Sequence, residues 1–254
     1  MLRSRIIPCL LVHKRGLVKT VEFSDPKYVG DPINAVKIFN EKEVDELIIL
    51  DIDASVENRG PDFELIKNIA VECRMPLCYG GGVSTVDQAI EIIRLGAEKV
   101  ALSSAALSDS TILKQIGKAI GMQSVVVVID VKRNSNGKYD IYTNNGKKLV
   151  RKTLENYLLE LNEIGVGEIV INSIDEDGKM KGYDWKLCEF VRNIVDMPLT
   201  FLGGAGSHND IKKLIDLFKI VGASAGSIFV FKGVFRAVLI NYPLREEKRK
   251  IIGL

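Results

Sequence analysis

Histidine is nearly absent from this 254-residue chain, which has only His13 and His208. Cysteine is sparse as well: Cys9, Cys73, Cys78 and Cys188 are scattered, with no Cys-x-x-Cys pair. A structural zinc site needs thiolates and imidazoles at close, regular spacing, and a disulfide framework needs a denser cysteine pattern, so both are excluded. The thiols read as buried apolar side chains. A cysteine or serine nucleophile with a histidine base has no better support, and no metal or cofactor is expected. Excess charge is also missing: 35 Lys and Arg against 33 Asp and Glu leave +2. Nothing there recruits nucleic acid or an anionic membrane surface. No apolar run approaches the ~18 residues of a membrane span, and Met1–Pro8 lacks a signal-peptide core and cleavage site. A cytoplasmic protein is expected.

What the chain does have is one phrase said twice. Met197-Pro-Leu-Thr-Phe-Leu-Gly-Gly-Ala-Gly-Ser207 is an apolar run that breaks into glycines before an amphipathic segment. Met75-Pro-Leu-Cys-Tyr-Gly-Gly-Gly-Val83 says the same thing, with Gly81 lying 122 positions before Gly203. At that offset Asp45–Asp53 aligns with Gly167–Asp175, pairing Glu46 with Glu168 and Asp53 with Asp175. Gly96-Ala97 then matches Gly222-Ala223, where the offset has slipped by four. A repeat of half the chain, alternating short apolar runs with helical segments, is the sequence form of two βα halves.

Eight apolar runs predict strands: Arg5–Val12, Leu47–Ile52, Pro76–Tyr79, Lys99–Leu102, Ser124–Asp130, Glu168–Ile171, Pro198–Leu202 and Val221–Ala225. Runs without polar alternation suit strands buried on both faces of a parallel sheet. Helices are expected at Ile33–Lys42, Phe63–Cys73, Thr85–Leu95, Ser110–Ile120, Leu154–Ile164, Trp185–Val195 and His208–Lys219, with the tail Lys232–Tyr242 supplying an eighth. The sum is an α/β fold, a (β/α)8 TIM barrel of two similar half-barrels, forming a single domain over residues 1–254; the length matches the ~250 residues typical of that fold. Lys14–Tyr28 is expected to be a basic and polar lid loop. Arg133–Leu149, with Ser-Asn-Gly and Asn-Asn-Gly around Tyr139–Tyr142, reads as a β-ribbon. Both leave the C-terminal ends of strands, where such barrels build their sites. The charge run Arg245–Lys250 reads as the solvated end of the last helix.

Carboxylates stand just after strands at Asp51, Asp53, Asp130, Asp175 and Asp177. There a carboxylate can act as general base or bind hydroxyls, or it can cap the following helix. Both readings stand for Asp53 and Asp175. Asp130 precedes Val-Lys-Arg133 rather than a helix, and a cap explains it poorly. The glycine turns at 80–82 and 203–206, with Ser103-Ser104 and Gly226-Ser227 in the neighbouring loops, offer N–H groups, hydroxyls and helix termini to a dianion. Two such turns at symmetric positions fit the ends of a substrate with two phosphates. Tight strand–helix packing is the alternative reason for the glycines.

Arg5-Ile-Ile-Pro-Cys-Leu10, Gly30-Asp-Pro32, Asp45-Glu-Leu and Leu50-Asp-Ile-Asp-Ala-Ser55, Gly80-Gly-Gly82, Ile129-Asp130, Asp175-x-Asp-Gly178 and Gly203–Ser207 together resemble the cyclase subunit of imidazole glycerol phosphate synthase, nearly end to end. The resemblance implies a barrel that binds a bisphosphorylated small molecule across its mouth. It also implies a glutaminase partner at the N-terminal face and ammonia passing through the barrel. Carried over, it makes Asp130 catalytic, Lys19 a lid lysine, and Asp51 and Asp177 substrate-binding carboxylates. It puts Gly81, Gly82 and Ser104 at one phosphate and Gly203, Gly204, Gly226 and Ser227 at the other. Arg5, Glu46, Lys99 and Glu168 become the charged gate of the ammonia channel.

One departure stands out. The family has a second catalytic aspartate shortly after the Pro-Cys of the first strand, and here that position is Leu11. A positioned acid or base contributes about 10²–10⁴-fold, and no carboxylate follows until Glu22. The chain resembles a divergent branch with the same Cys-Leu-Leu and Arg15-Gly-Leu-Val-Lys-Thr20 wording. That branch implies ammonia supplied for sugar amidination in bacterial surface polysaccharide or glycan synthesis, with a sugar amidotransferase as a further partner. A histidine-pathway cyclase and a non-catalytic scaffold for the glutaminase are the alternatives.

Overall fold

A computed structural model describes residues 3–253. The first half runs β1 (Arg5–His13), β2 (Gly16–Val21), β3 (Ser24–Gly30), α1 (Pro32–Glu41), β4 (Leu47–Asp51), α2 (Phe63–Glu72), β5 (Leu77–Gly80), α3 (Val86–Arg94), β6 (Lys99–Leu102), α4 (Ser104–Ser108) and α5 (Thr111–Ile120). The second runs β7 (Val125–Arg133), β8 (Tyr139–Thr143), β9 (Lys148–Thr153), α6 (Leu154–Ile164), β10 (Glu168–Ser173), α7 (Trp185–Arg192), β11 (Leu199–Leu202), α8 (His208–Phe218), β12 (Gly222–Ala225) and α9 (Ser227–Val230). The chain continues through β13 (Phe231–Lys232) and β14 (Ala237–Val238) to α10 (Arg245–Ile252).

Strands β1, β4, β5, β6, β7, β10, β11 and β12 pair in parallel in that order, and β12 returns to β1 to close the barrel. Their pleat explains the unbroken apolar runs. On β1, Ile6, Leu10 and Val12 join the core beneath the helices, while Ile7 and Cys9 turn into the lumen. There they meet Ile48, Cys78, Ala101, Val126, Val128, Val170 and Leu202. Each buried aliphatic side chain stabilises by ~1.5–3 kcal/mol, so a polar residue in either layer would be felt. Helices start where side chains satisfy their first N–H groups: Thr85 and Gln88 form a reciprocal cap on α3, and Ser207 and Asp210 do so on α8. Among the described residues no helix is long and apolar enough to cross a membrane.

All eight expected strands form, and three other expectations are corrected. Lys14–Tyr28 is not a loop: β1 folds back into β2 and β3 as an antiparallel ribbon. Lys232–Tyr242 is not a helix. It holds the β13–β14 hairpin, turning at Gly233–Arg236, because Val, Phe and Ile favour extended chain and Gly233 takes a φ of 73°. The last helix is α10, so the Arg245–Lys250 charge run is its body rather than its end. The short helices α4 and α9 carried no periodic signal in the sequence.

The repeat reaches further than the offset of 122 showed. Each half opens on a nine-residue strand, β1 or β7, that outgrows the barrel and becomes a ribbon. Asp53 accepts a hydrogen bond from Lys14 N at 2.8 Å with His13 Nδ1 2.7 Å away, and Asp175 accepts from Arg133 N at 2.7 Å. These repeated aspartates cap no helix. They pin the two ribbons.

Candidate active site

The C-terminal ends of the strands enclose a cavity of about 980 Å³. Its wall contains Lys19, Asp51, Asp130 and Asp177 together with Gly81, Gly82, Ser104, Gly203, Gly204, Gly226 and Ser227, so every residue expected at the mouth is there. The two ribbons meet over it: Asn145 at the tip of the β8–β9 ribbon donates to Ile52 O at 2.9 Å, and Gly146 lies beside Phe23.

Asp130 points up from β7 and accepts from Asn172 Nδ2 at 2.9 Å. Burial pushes its carboxyl up to about 7 against the Asn172 hydrogen bond, with the charge of Asp177 adding to the rise. A carboxyl poised there can give or take a proton near neutrality. Asp177 accepts from Thr20 Oγ1 at 2.6 Å and Phe23 N at 3.2 Å, and burial raises its pKa as well. Lys19 is buried, donates to Cys9 O at 2.6 Å, and sits against Gly226 so closely that a Cβ there would fall 2.2 Å from Nζ. Burial lowers the lysine's pKa, with Cys9 and Asp177 opposing. The Cys9 thiol is itself pushed up to about 11 by burial, which leaves it no nucleophile.

Asp51 is held by its own loop. Arg59 grips both its oxygens, each at 2.9 Å, and Asp53 N and Ala54 N donate to it at 3.0 and 3.2 Å. Three of these contacts fall on Oδ1 and one on Oδ2, so the carboxylate is tied to the loop after β4 while it lines the cavity. Arg59 is the residue that sequence reasoning missed; eight positions of loop separate the pair, and no periodicity marks it.

The glycine turns need their glycines for packing. A Cβ on Gly81, at φ 124°, would meet Asp51 O at 2.6 Å, and one on Gly204, at φ 100°, would meet Gly182 O at 2.0 Å. The long helices behind them offer no open N-terminus, since Gln88 Oε1 takes Ser84 N and Thr85 N, and Asp210 Oδ2 takes Gly206 N and Ser207 N. At the cavity wall, α4 and α9 start at Ser104 and Ser227 without a side-chain cap. The serine loops thus add uncapped N–H groups and hydroxyls beside the glycine turns at the cavity wall.

At the opposite end Arg5, Glu46, Lys99 and Glu168 form a closed ring. Arg5 pairs with Glu46, and through Nη2 with Glu168 Oε1 at 2.8 Å; Lys99 Nζ reaches Glu46 Oε1 at 2.7 Å and Glu168 Oε2 at 2.8 Å. Thr200 Oγ1 also donates to Glu168. Burial opposes the Glu168 charge, but Arg5 and Lys99 outweigh it and hold the carboxyl well below the ordinary range.

Leu11 lines the cavity and pairs in register with Leu50, whereas Asp130 pairs with Asn172. Leu11 and Asp130 are 119 positions apart, as are Lys14 and Arg133, the two N–H groups held by Asp53 and Asp175. Leu50 and Asn172 keep the 122 of the repeat. One half thus carries an apolar pair where the other carries a carboxyl and its amide. A match to the family described as histidine biosynthesis protein spans residues 5–236. The chain belongs to this family. A relative in Vibrio vulnificus, provisionally named an imidazole glycerol phosphate synthase HisF-type subunit, is 54% identical, covering 100% of this chain and 98% of its own length. One in Pseudomonas aeruginosa, also provisionally named, is 51% identical over 96% of this chain and 97% of its own. A Streptococcus sanguinis protein, named outright as subunit HisF of imidazole glycerol phosphate synthase, is 36% identical over 90% and 91%. The residues that the resemblance singles out thus fall into two clusters, a mouth and a floor, with an apolar lumen between them.

Proposed function

We propose that this HisF-type barrel takes ammonia from a glutaminase docked at its N-terminal face and passes it on for sugar amidination in bacterial surface polysaccharide or glycan synthesis. The observation that carries the reading is Leu11 against Leu50 where the pseudo-twofold partner site holds Asp130 and Asn172. Cyclisation that needs two carboxyls across the mouth has one. The floor ring supports the other half of the reading, because buried ion pairs seldom stabilise better than apolar residues do. Ammonia, small and neutral, can cross an apolar lumen that ions cannot. In this reading the ring is the gate, and Lys19, Asp177 and the Ser104 and Ser227 loops hold a phosphorylated ligand at the mouth.

A histidine-pathway cyclase is the second reading, favoured by Asp130, whose carboxyl near 7 suits proton transfer. Cyclisation of the bisphosphorylated ribulosyl substrate with ammonium salts separates the two. Little turnover is expected from the chain as it stands, with a gain of up to about 10²-fold in Leu11→Asp, and strong stimulation of the glutaminase by either form. Robust cyclisation by the native chain would give the histidine pathway the better claim. A glutaminase indifferent to this chain would remove the ammonia-supplying role.

A further inference from the structure

The β13–β14 hairpin ends in Val234 and Phe235, each 96% exposed. Val238 and Leu239 on the returning chain are about half exposed as well, so the hairpin presents a cluster of apolar side chains rather than a single one, and such clusters mark interaction surfaces. The hairpin is ordered by its own bonds: Phe231 pairs with Val238, Leu239 N donates to Val230 O at 2.8 Å, and Asn241 N to Phe229 O at 2.9 Å. It is also fixed to the mouth. Arg236 Nη2 donates to Gly178 O at 3.0 Å, Gly178 lines the cavity, and Lys27 of the lid ribbon lies over the Phe231 ring at 5.4 Å. The knob therefore stands on the rim from which a small molecule would leave.

Its surroundings say what fits it. Lys232 and Arg236 flank the tip and Lys27 lies over Phe231 at its base, and none of the three has a carboxylate partner among the described residues; together they make a basic collar to the hairpin. A second copy is disfavoured, since a twofold contact would set collar against collar. A phenylalanine offers roughly 150–250 Å² of contact, far short of the ~1,600 Å² of a stable interface. The tip thus fits as a plug in a larger, concave partner rather than as a flat patch. We propose that this hairpin docks the ammonia-consuming amidotransferase, which seats over the barrel mouth and presents an apolar socket rimmed by carboxylates. The proposal rests on the ammonia-supplying reading above.

The test combines the purified glutaminase, this chain and the sugar amidotransferase, with V234S/F235S as the variant. The native chain is expected to form a complex with the amidotransferase in sedimentation velocity, and V234S/F235S to weaken it by about tenfold or more. Glutamine-driven amidination should fall in parallel, while ammonium-driven amidination and stimulation of the glutaminase stay at native levels. K27E/K232E should weaken the complex too, and salt raised from ~50 to ~500 mM should weaken the native one. Equal binding and ammonia delivery by V234S/F235S would overturn the docking role alone. A native chain that delivers no ammonia to that enzyme would overturn the function and the docking together. Self-association lost in V234S/F235S would assign the knob to a second copy instead. Flotation with phosphatidylcholine vesicles containing about 30% phosphatidylglycerol, lost in the same variant, would assign it to a membrane.

Discussion

The Asp130 carboxyl is the group whose protonation the fold controls most directly. Raised to about 7, it keeps a proton in the folded chain that the unfolded chain releases near pH 4. Its contribution to stability is therefore full below about pH 4 and declines as pH rises to 7, because the folded state binds the extra proton. Asp130→Asn can still accept from Asn172 but cannot ionise. Urea denaturation at pH 8 should find the variant more stable by on the order of 2–4 kcal/mol, with the gap closing toward pH 4. A constant gap across that range would mean that the carboxyl ionises freely in the native protein. The place of Asp130 and Lys19 on the cavity wall was legible in the sequence because motif and position agreed. Asp51 lines the cavity as expected, but its tie to Arg59 was not legible, because a carboxylate after a strand looks the same whether it faces a ligand or an arginine from its own loop. Arg59 decides that only in space.

At the scale of elements, the lid ribbon was hidden by its turns. Lys14 and Arg15 take φ of 50° and 63°, and Glu22 and Phe23 take 50° and 61°. Such turns ordinarily announce themselves with Asn-Gly. Here ordinary residues adopt the conformation because the fold holds it: Asp53 takes Lys14 N, Arg15 binds Asp62 and Glu64, and Asp177 takes Phe23 N. The second ribbon was legible because Asn144-Asn145-Gly146 is a turn in any context. If the two aspartates do the same job, Asp53→Ala and Asp175→Ala should each cost about 1–3 kcal/mol of local stability. Hydrogen exchange should speed up in β2–β3 for the first and β8–β9 for the second, with barrel strands still protected. Uniform exchange across the barrel, or none, would refute the pinning role. The tail was misread for a different reason. Barrel symmetry called for a helix there, and local propensity, rich in Val, Phe and Ile, ruled otherwise.

For the whole molecule, the floor ring sets how the barrel answers to acid. Glu168 is held below its unfolded value, so its contribution is present above about pH 4.3 and is lost as pH falls through the folded value. Removing one member leaves two cations facing one anion. Glu168→Gln is expected to cost about 3–5 kcal/mol at pH 7, whereas replacing all four as R5M/E46L/K99M/E168L should be nearly neutral. Melting temperatures of the two variants would decide it; a quadruple variant less stable than the single one would make the ring a structural device. The closed barrel itself was readable from eight apolar runs and a repeat. The ring's geometry was not, since residues 5, 46, 99 and 168 meet only once the barrel closes.

Two positive and two negative groups, alternating around that floor, sum to zero. Such an arrangement has no monopole, and its alternation leaves mainly a quadrupole, whose potential falls with the cube of distance even before counterions screen it beyond ~8–10 Å. A protein approaching that face receives no long-range torque or pull from the ring, and meets its charges only at contact. The hairpin collar at the other end is a true monopole of one sign. The ring is thus electrically quiet and the collar audible, and ionic strength would slow encounters steered by the collar while leaving the ring's part untouched.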